Sequence, residues 1–277
     1  MNRLTGGLSV AVTLAIAVAC PRLATGQLYP ALPQRYLLTT DAFDGRAVWV
    51  NPAGLARRIE ASLGVDATVE RRPGSTSIAQ FGASVRSRNL AFGWVHDRYA
   101  GGSGANNFAL GVGLGDETLS LGATRRWYGG PGGDKTWDLA ARGRLTPLLD
   151  LSLVWRTVGS VTVRGTIYGA SIIPAAAFHI LQGRVVAGVE GDLATNLGKL
   201  NEIRAGAACI VGAGVAISLR GEFSPGFARR GFAVGLTLGA ARTRSTLVAL
   251  LPAGANSIQT IGVSTALVAA EPVSARR

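Results

Sequence analysis

The chain has 277 residues, 28 Lys and Arg against 16 Asp and Glu for a formal net charge of +12, two cysteines and 6% aromatic residues. Its arginines are scattered through the chain rather than clustered with aromatics, which excludes a nucleic-acid-binding face, and two cysteines exclude a disulfide framework. The longest uncharged stretch beyond the N-terminus, 245–270, is split by Pro252-Ala-Gly-Ala-Asn256, so it reads as two strands and a hairpin instead of a spanning helix.

Arg3, an apolar run from Leu8 to Ala19 and small residues before Gln27 form the three-part pattern of a secretory signal peptide over 1–26. Cleavage after Ala19 and cleavage after Gly26 both fit. Ala17-Val18-Ala19-Cys20 lacks the leucine of a lipoprotein box and is followed by Pro21, so lipidation is not expected. With Cys20 removed, Cys209 stands alone beside Ile203, Ala205 and Ala207 at spacing two, as a small apolar strand residue.

Residues 27–60 do not alternate, and Pro30 and Pro33 favour an irregular start. The segment ends on Asn51-Pro52-Ala53-Gly54, where Asn-Pro favours turn initiation and Gly54 permits positive φ, so a compact turn is expected there.

From 61 to 268 the chain alternates with a period of two. In 61–70 Ala61, Leu63, Val65, Ala67 and Val69 oppose Ser62, Gly64, Asp66, Thr68 and Glu70. Such segments are strands with one face in an apolar medium. Fourteen are predicted, near 61–71, 77–86, 89–97, 107–114, 117–127, 136–144, 149–158, 165–173, 183–192, 201–211, 213–222, 230–239, 242–251 and 257–268. An even number of strands about 9–11 residues long suits an all-β, antiparallel, outer-membrane barrel. Pro73, Pro131, Pro147, Pro225 and Pro252 fall between segments, and Pro174 is read as ending one. Tight links alternate with longer ones, among them Gly159–Arg164; Ala175–Gln182 breaks the rhythm as a long link in a short-link position. Residues 269–277 form a C-terminal tail.

With the apolar set outward, the lumen receives Asp138, Arg142, Arg156, Glu190, Asp192, Arg204, Arg220 and Glu222. Mixed signs favour an ion-pair network that fills the interior over a charge-selective ring. Many inward Gly and Ala would leave room for an apolar molecule. Arg125 falls on an apolar face and is expected to snorkel near an interface. Catalysis and metal binding are not expected: His96, at a strand end, and His179, in the long link, have no partners at ligand spacing. Gly129-Gly-Pro-Gly-Gly-Asp-Lys-Thr136 is a loop, because Asp134 stands where a phosphate loop needs glycine. No cofactor is expected.

The stretch Asp41 to Ala56 ending in Asn-Pro-Ala-Gly-Leu, and the run from Trp137-Asp138-Leu139 through Arg144-Leu-Thr-Pro147 to Trp155, resemble the fatty-acid-transporter-like (FadL) outer-membrane barrels, in particular the PorV/PorQ branch. The resemblance implies a hatch inside a fourteen-stranded barrel, with Asn51, Pro52, Ala53 and Gly54 as its turn. It also implies passage or binding of a hydrophobic small molecule, or docking of exported proteins as partners. The alternative is a structural, non-conducting barrel with an ion-pair-filled lumen. Outer-membrane lipid and lipopolysaccharide are the expected surroundings; the aromatic girdle is thin and the last strand does not end on an aromatic residue.

Overall fold

Strands alternating apolar and polar residues have two ways to hide both faces: a stacked pair of sheets or a closed barrel. A computed structural model describes residues 38–270 apart from 73, 99–103, 130–132, 164–165, 196–197, 241 and 256, and shows the barrel. Its fourteen strands are β1 (Ile59–Arg72), β2 (Ser75–Ser87), β3 (Leu90–Arg98), β4 (Gly104–Gly115), β5 (Leu119–Trp127), β6 (Lys135–Thr146), β7 (Leu149–Val163), β8 (Thr166–Ile180), β9 (Val185–Ala194), β10 (Lys199–Gly212), β11 (Val215–Phe223), β12 (Arg229–Ala240), β13 (Thr243–Pro252) and β14 (Thr260–Ala270). Each pairs antiparallel with its sequence neighbours, and β1 closes the ring on β14 from Ile59↔Ala270 to Glu70↔Thr260. The expected signal peptide and most of the expected tail lie outside the described residues, as do Tyr99 and Pro131.

The alternation sorts faces as the sequence requires. Leu63, Val65, Leu110, Leu153, Ile217 and Leu247 point outward and are 43–52% exposed, while Ser62, Asp66, Ser84, Asp138, Asp150 and Glu190 point inward and are buried. The molecule is thus apolar outside and polar within. Cys209 is exposed on the outer face.

Two sequence expectations are corrected between β7 and β9. Gly159–Arg164 is not a loop up to residue 163: β7 continues to Val163 through a bulge between Arg156 and Ser160, where Thr157 and Gly159 take φ of 54° and 90°. An extra residue in a bulge hides the period-two signal. Nor is Ala175–Gln182 a long link. β8 runs through Pro174 to Ile180, and the connection is residues 181–184. Pro174 keeps its pairing with Leu153 of β7, whereas the ladder to β9 lapses between Ile172↔Leu193 and Ala175↔Glu190. A missing donor interrupts one ladder without ending the strand. With that link four residues long, the links at its end of the barrel run from two to four residues and those at the other end from two to seven.

Replacing Pro174 by Ala restores an N–H opposite β9. The expected outcome is slower amide hydrogen exchange at residues 172–175 and 190–193, with exchange elsewhere in the barrel unchanged.

Candidate functional site

Residues 38–57 run through the interior. Four of them, Ala47–Val50, form one helical turn, α1, and Pro52–Ala56 form a 3-10 turn; all nine residues are buried. Two β-branched residues and a tryptophan are indifferent helix formers, and a single turn is far below the length that holds alone in water. Packing decides the conformation. Ala42, Ala47, Val48, Trp49, Val50 and Leu55 cluster with Ala91 and Val95 of β3 and Ala109 of β4.

The wall is shaped to receive this segment. A Cβ on Gly93 would lie 2.4 Å from Trp49 Nε1, one on Gly113 2.4 Å from the Ala56 nitrogen, and one on Gly122 2.2 Å from the Pro52 carbonyl carbon. The inward glycines of β3–β5 are therefore occupied by the chain's own segment, and the room expected there for an apolar ligand is filled. Within the segment, Asn51 Oδ1 accepts from the Ala53 N–H at 3.0 Å, while its Nδ2 donates to the Thr39 carbonyl at 2.7 Å. Gly54 is needed for a reason different from the expected positive φ: an added Cβ would sit 1.8 Å from the Ala42 carbonyl oxygen.

Short helical turns leave their last carbonyls without partners. Arginines of the wall supply them. Arg126 Nη2 donates to the Trp49 carbonyl at 2.7 Å and Arg156 Nη2 to that of Val50 at 3.3 Å. Arg86 Nη2 donates to the Leu55 carbonyl at 2.7 Å, and the same guanidinium bonds the carbonyls of Phe43, Arg57 and Arg88. Arg142 Nε donates to the Thr40 carbonyl at 3.2 Å. Hydrogen bonds to a charged partner contribute about 1.5–3 kcal/mol each, and more is lost when one partner is left buried alone.

Carboxylates of the wall hold three of those arginines, Arg126, Arg142 and Arg156. Asp138 Oδ2 lies 2.5 Å from Arg126 and 3.9 Å from Arg156, and its Oδ1 accepts from the Thr157 N–H at 2.9 Å. Asp150 takes Arg142 at 2.5 Å, Arg144 at 2.9 Å and His179 Nε2 at 3.3 Å. Glu190 meets Arg204 Nε at 3.1 Å and accepts from the Thr39 N–H at 3.3 Å, and Asp192 accepts from Asn201 at 3.4 Å. Within the segment, burial opposes ionisation of Asp44, but Arg46 outweighs it and holds the carboxyl below its ordinary value. Arg46 Nε donates to Asp44 at 2.9 Å and its Nη1 to Ser264 of β14 at 2.9 Å. Burial raises the Asp41 carboxyl, against the opposing pull of Arg220, His179 and Arg57.

Of the residues expected from the sequence, Asp138, Arg142, Arg156, Glu190, Asp192, Arg204 and Glu222 are buried on the inner wall; Arg220 is half-buried there, with its Cγ 2.4 Å from where a Gly206 Cβ would be. Arg204 and Glu222 are register partners on β10 and β11. They do not form one site: Arg142 and Arg156 touch the segment on one side with Asp138 behind Arg156, and Glu190, paired with Arg204, reaches it at Thr39 on another. Sequence reasoning missed Arg86 and Arg126, both 1% exposed. Their inward parity was the available signal. His179 is corrected from link to strand, facing Asp150. Among the described residues no group of three His, Cys, Asp or Glu is placed to hold a metal.

No family model matches the chain, and no curated protein matches it. Among solved structures, the Acinetobacter baumannii outer membrane protein Omp33 aligns with a TM-score of 0.50 at 9% identity, covering 76% of this chain and 98% of that one. A mutant form of the Rh. blastica porin aligns with a TM-score of 0.45 at 10% identity, over 75% of this chain and 98% of that one. At 9% identity the likeness to Omp33 is one of fold alone, a closed antiparallel barrel.

Gly54→Ala forces the 3-10 turn away from Ala42. Overpacking of this kind costs about 1–3 kcal/mol, and the expected outcome is faster proteolysis within residues 38–57 while the barrel strands stay protected.

Proposed function

We propose that the chain is an exported outer-membrane β-barrel of the fatty-acid-transporter-like kind, within it the PorV/PorQ-like branch, and that residues 38–57 are its hatch. Its work is binding and passage of a hydrophobic small molecule, without chemistry. An outer face of half-exposed Leu, Val and Ile supports the membrane setting: each such side chain left half in water forfeits about 1 kcal/mol, and lipid removes that loss. The observation that carries the hatch is the set of wall arginines bound to main-chain carbonyls of the segment. These contacts are polar and exchangeable, and the ring of strands is closed without them, so the segment can move while the wall stands.

The density of buried ion pairs around Asp138, Asp150 and Glu190 favours a second reading, a structural barrel that conducts nothing. Planar-bilayer recording separates the two. For a hatch, the wild type is silent and Arg86→Ala combined with Arg126→Leu raises opening by tenfold or more, as loss of about 2 kcal/mol or more of charged hydrogen bonding requires. Silence of both proteins supports the structural barrel, and steady wild-type currents overturn both readings. Retention of a heat-sensitive shift in gel mobility checks that the variant barrel is folded. A wild type found in the soluble fraction without that shift removes the membrane setting altogether.

A further inference from the structure

The outer face of β5 and β6 carries two cations within an apolar belt. Arg125 shares its face with Leu119, Leu121, Ala123 and Trp127, and Lys135 shares its own with Trp137, Leu139 and Ala141. The registers Leu110↔Arg125↔Trp137 and Phe108↔Trp127↔Lys135 set the two cations on adjacent strands, one residue pair apart. Diagonal neighbours of this kind have side-chain origins about 7–8 Å apart.

Arg125 is where the sequence placed it, on the lipid side, and the structure shows what it rests on. Its guanidinium lies over the Trp137 ring, 5.0 Å from the centroid. Leu110, Trp137 and Leu139 around it are 40–50% exposed. The outward residues of β4, β5 and β6 include no Asp or Glu; the nearest acid along the chain, Asp134, is in the link before Lys135. An arginine on a membrane-facing wall is costly unless it reaches the interface or an anion. A guanidinium seated over a ring face keeps edge N–H donors for a second partner, and a phosphate oxygen pair matches them. Trp127 closes β5 beside Lys135, so the site lies at the rim that carries the β5–β6 link, at the level where tryptophans meet head groups.

We infer that Arg125, Lys135 and Trp137 form a binding site for a phosphorylated glycolipid of the outer leaflet, the guanidinium and ammonium taking phosphate while Leu110 and Leu139 border its acyl chains. The inference rests on the membrane setting proposed above, but not on the hatch.

Native mass spectrometry of the detergent-extracted barrel tests it, with bisphosphorylated lipid A, dephosphorylated lipid A and phosphatidylglycerol as probes. The wild type is expected to retain one bisphosphorylated lipid A, and R125Q and K135Q each to bind it about tenfold more weakly, the loss of one charged hydrogen-bonding group. R125K should fall between, because an ammonium lacks the planar stack. Equal retention by wild type and both Gln variants overturns the site, and so does equal retention of the dephosphorylated lipid. Phosphatidylglycerol held as tightly as lipid A overturns the glycolipid assignment. K135Q leaves the Arg125–Trp137 stack in place, so it reports even where R125Q folds poorly. Failure of the wild type to enter membranes removes the membrane setting instead, a result that gel mobility distinguishes.

Discussion

Hydrogen bonds from wall arginines to main-chain carbonyls hold the interior of this barrel together. They satisfy the carbonyls that the two short turns leave over, at Trp49, Val50 and Leu55, in a space where water is largely displaced. They also explain why the wall carries so many buried cations. Arg86 meets four carbonyls and Arg126 meets one carbonyl, the face of Trp49 and Asp138. Because the acceptors are main-chain atoms, the fit depends on the path of the segment more than on its side chains. Glycine is then required wherever that path comes close, at Gly54 within the segment and at Gly93, Gly113 and Gly122 on the wall.

The barrel is consequently two-sided. Strands β2–β7 hold the four arginines that bind the segment and the glycine floor beneath it. The same strands hold all four tryptophans of the wall, Trp94, Trp127, Trp137 and Trp155. On β9–β13 the inner face is lined by small residues, by Arg204, Glu222 and Arg220, and by an apolar cluster of Ala233, Val248 and Leu250. One half of the wall is specialised for gripping its own chain, and the other makes fewer demands on the segment.

Much of this was legible in the sequence because a strand repeats every two residues, and a single shift in parity would move every charge to the wrong face. Alternation placed Asp138, Arg142, Glu190 and Arg204 inward, and it identified Arg125 as a cation on the outer face. It was blind where the backbone departs from regular pairing. The bulge at Thr157 to Gly159 breaks the parity, and Pro174 reads as a boundary although its missing donor affects only one ladder. The contents of the lumen were less accessible still. Asn51-Pro52 marks a turn, but nothing local shows that Gly54 faces the Ala42 carbonyl or that Arg86 lies across from Leu55. Those contacts join residues far apart in the chain, and their geometry exists only once the sheet has curved.

The position of the segment immediately before β1 bears on how the molecule assembles. Ring closure joins β1 to β14, about the most distant pairing the chain can make, and its loop-closure entropy must be met before any closing contact is gained. The arginines that bind residues 40–57 lie on β2, β5, β6 and β7, all in the half of the barrel nearest the segment in sequence. A curved sheet of those strands already carries every wall arginine that binds the carbonyls of the segment. The segment can therefore settle onto an open half-barrel, with β8–β14 wrapping around it afterwards and Ser264 fastening to Arg46 as the final strand arrives. On that order the polar contents need no passage through a finished wall.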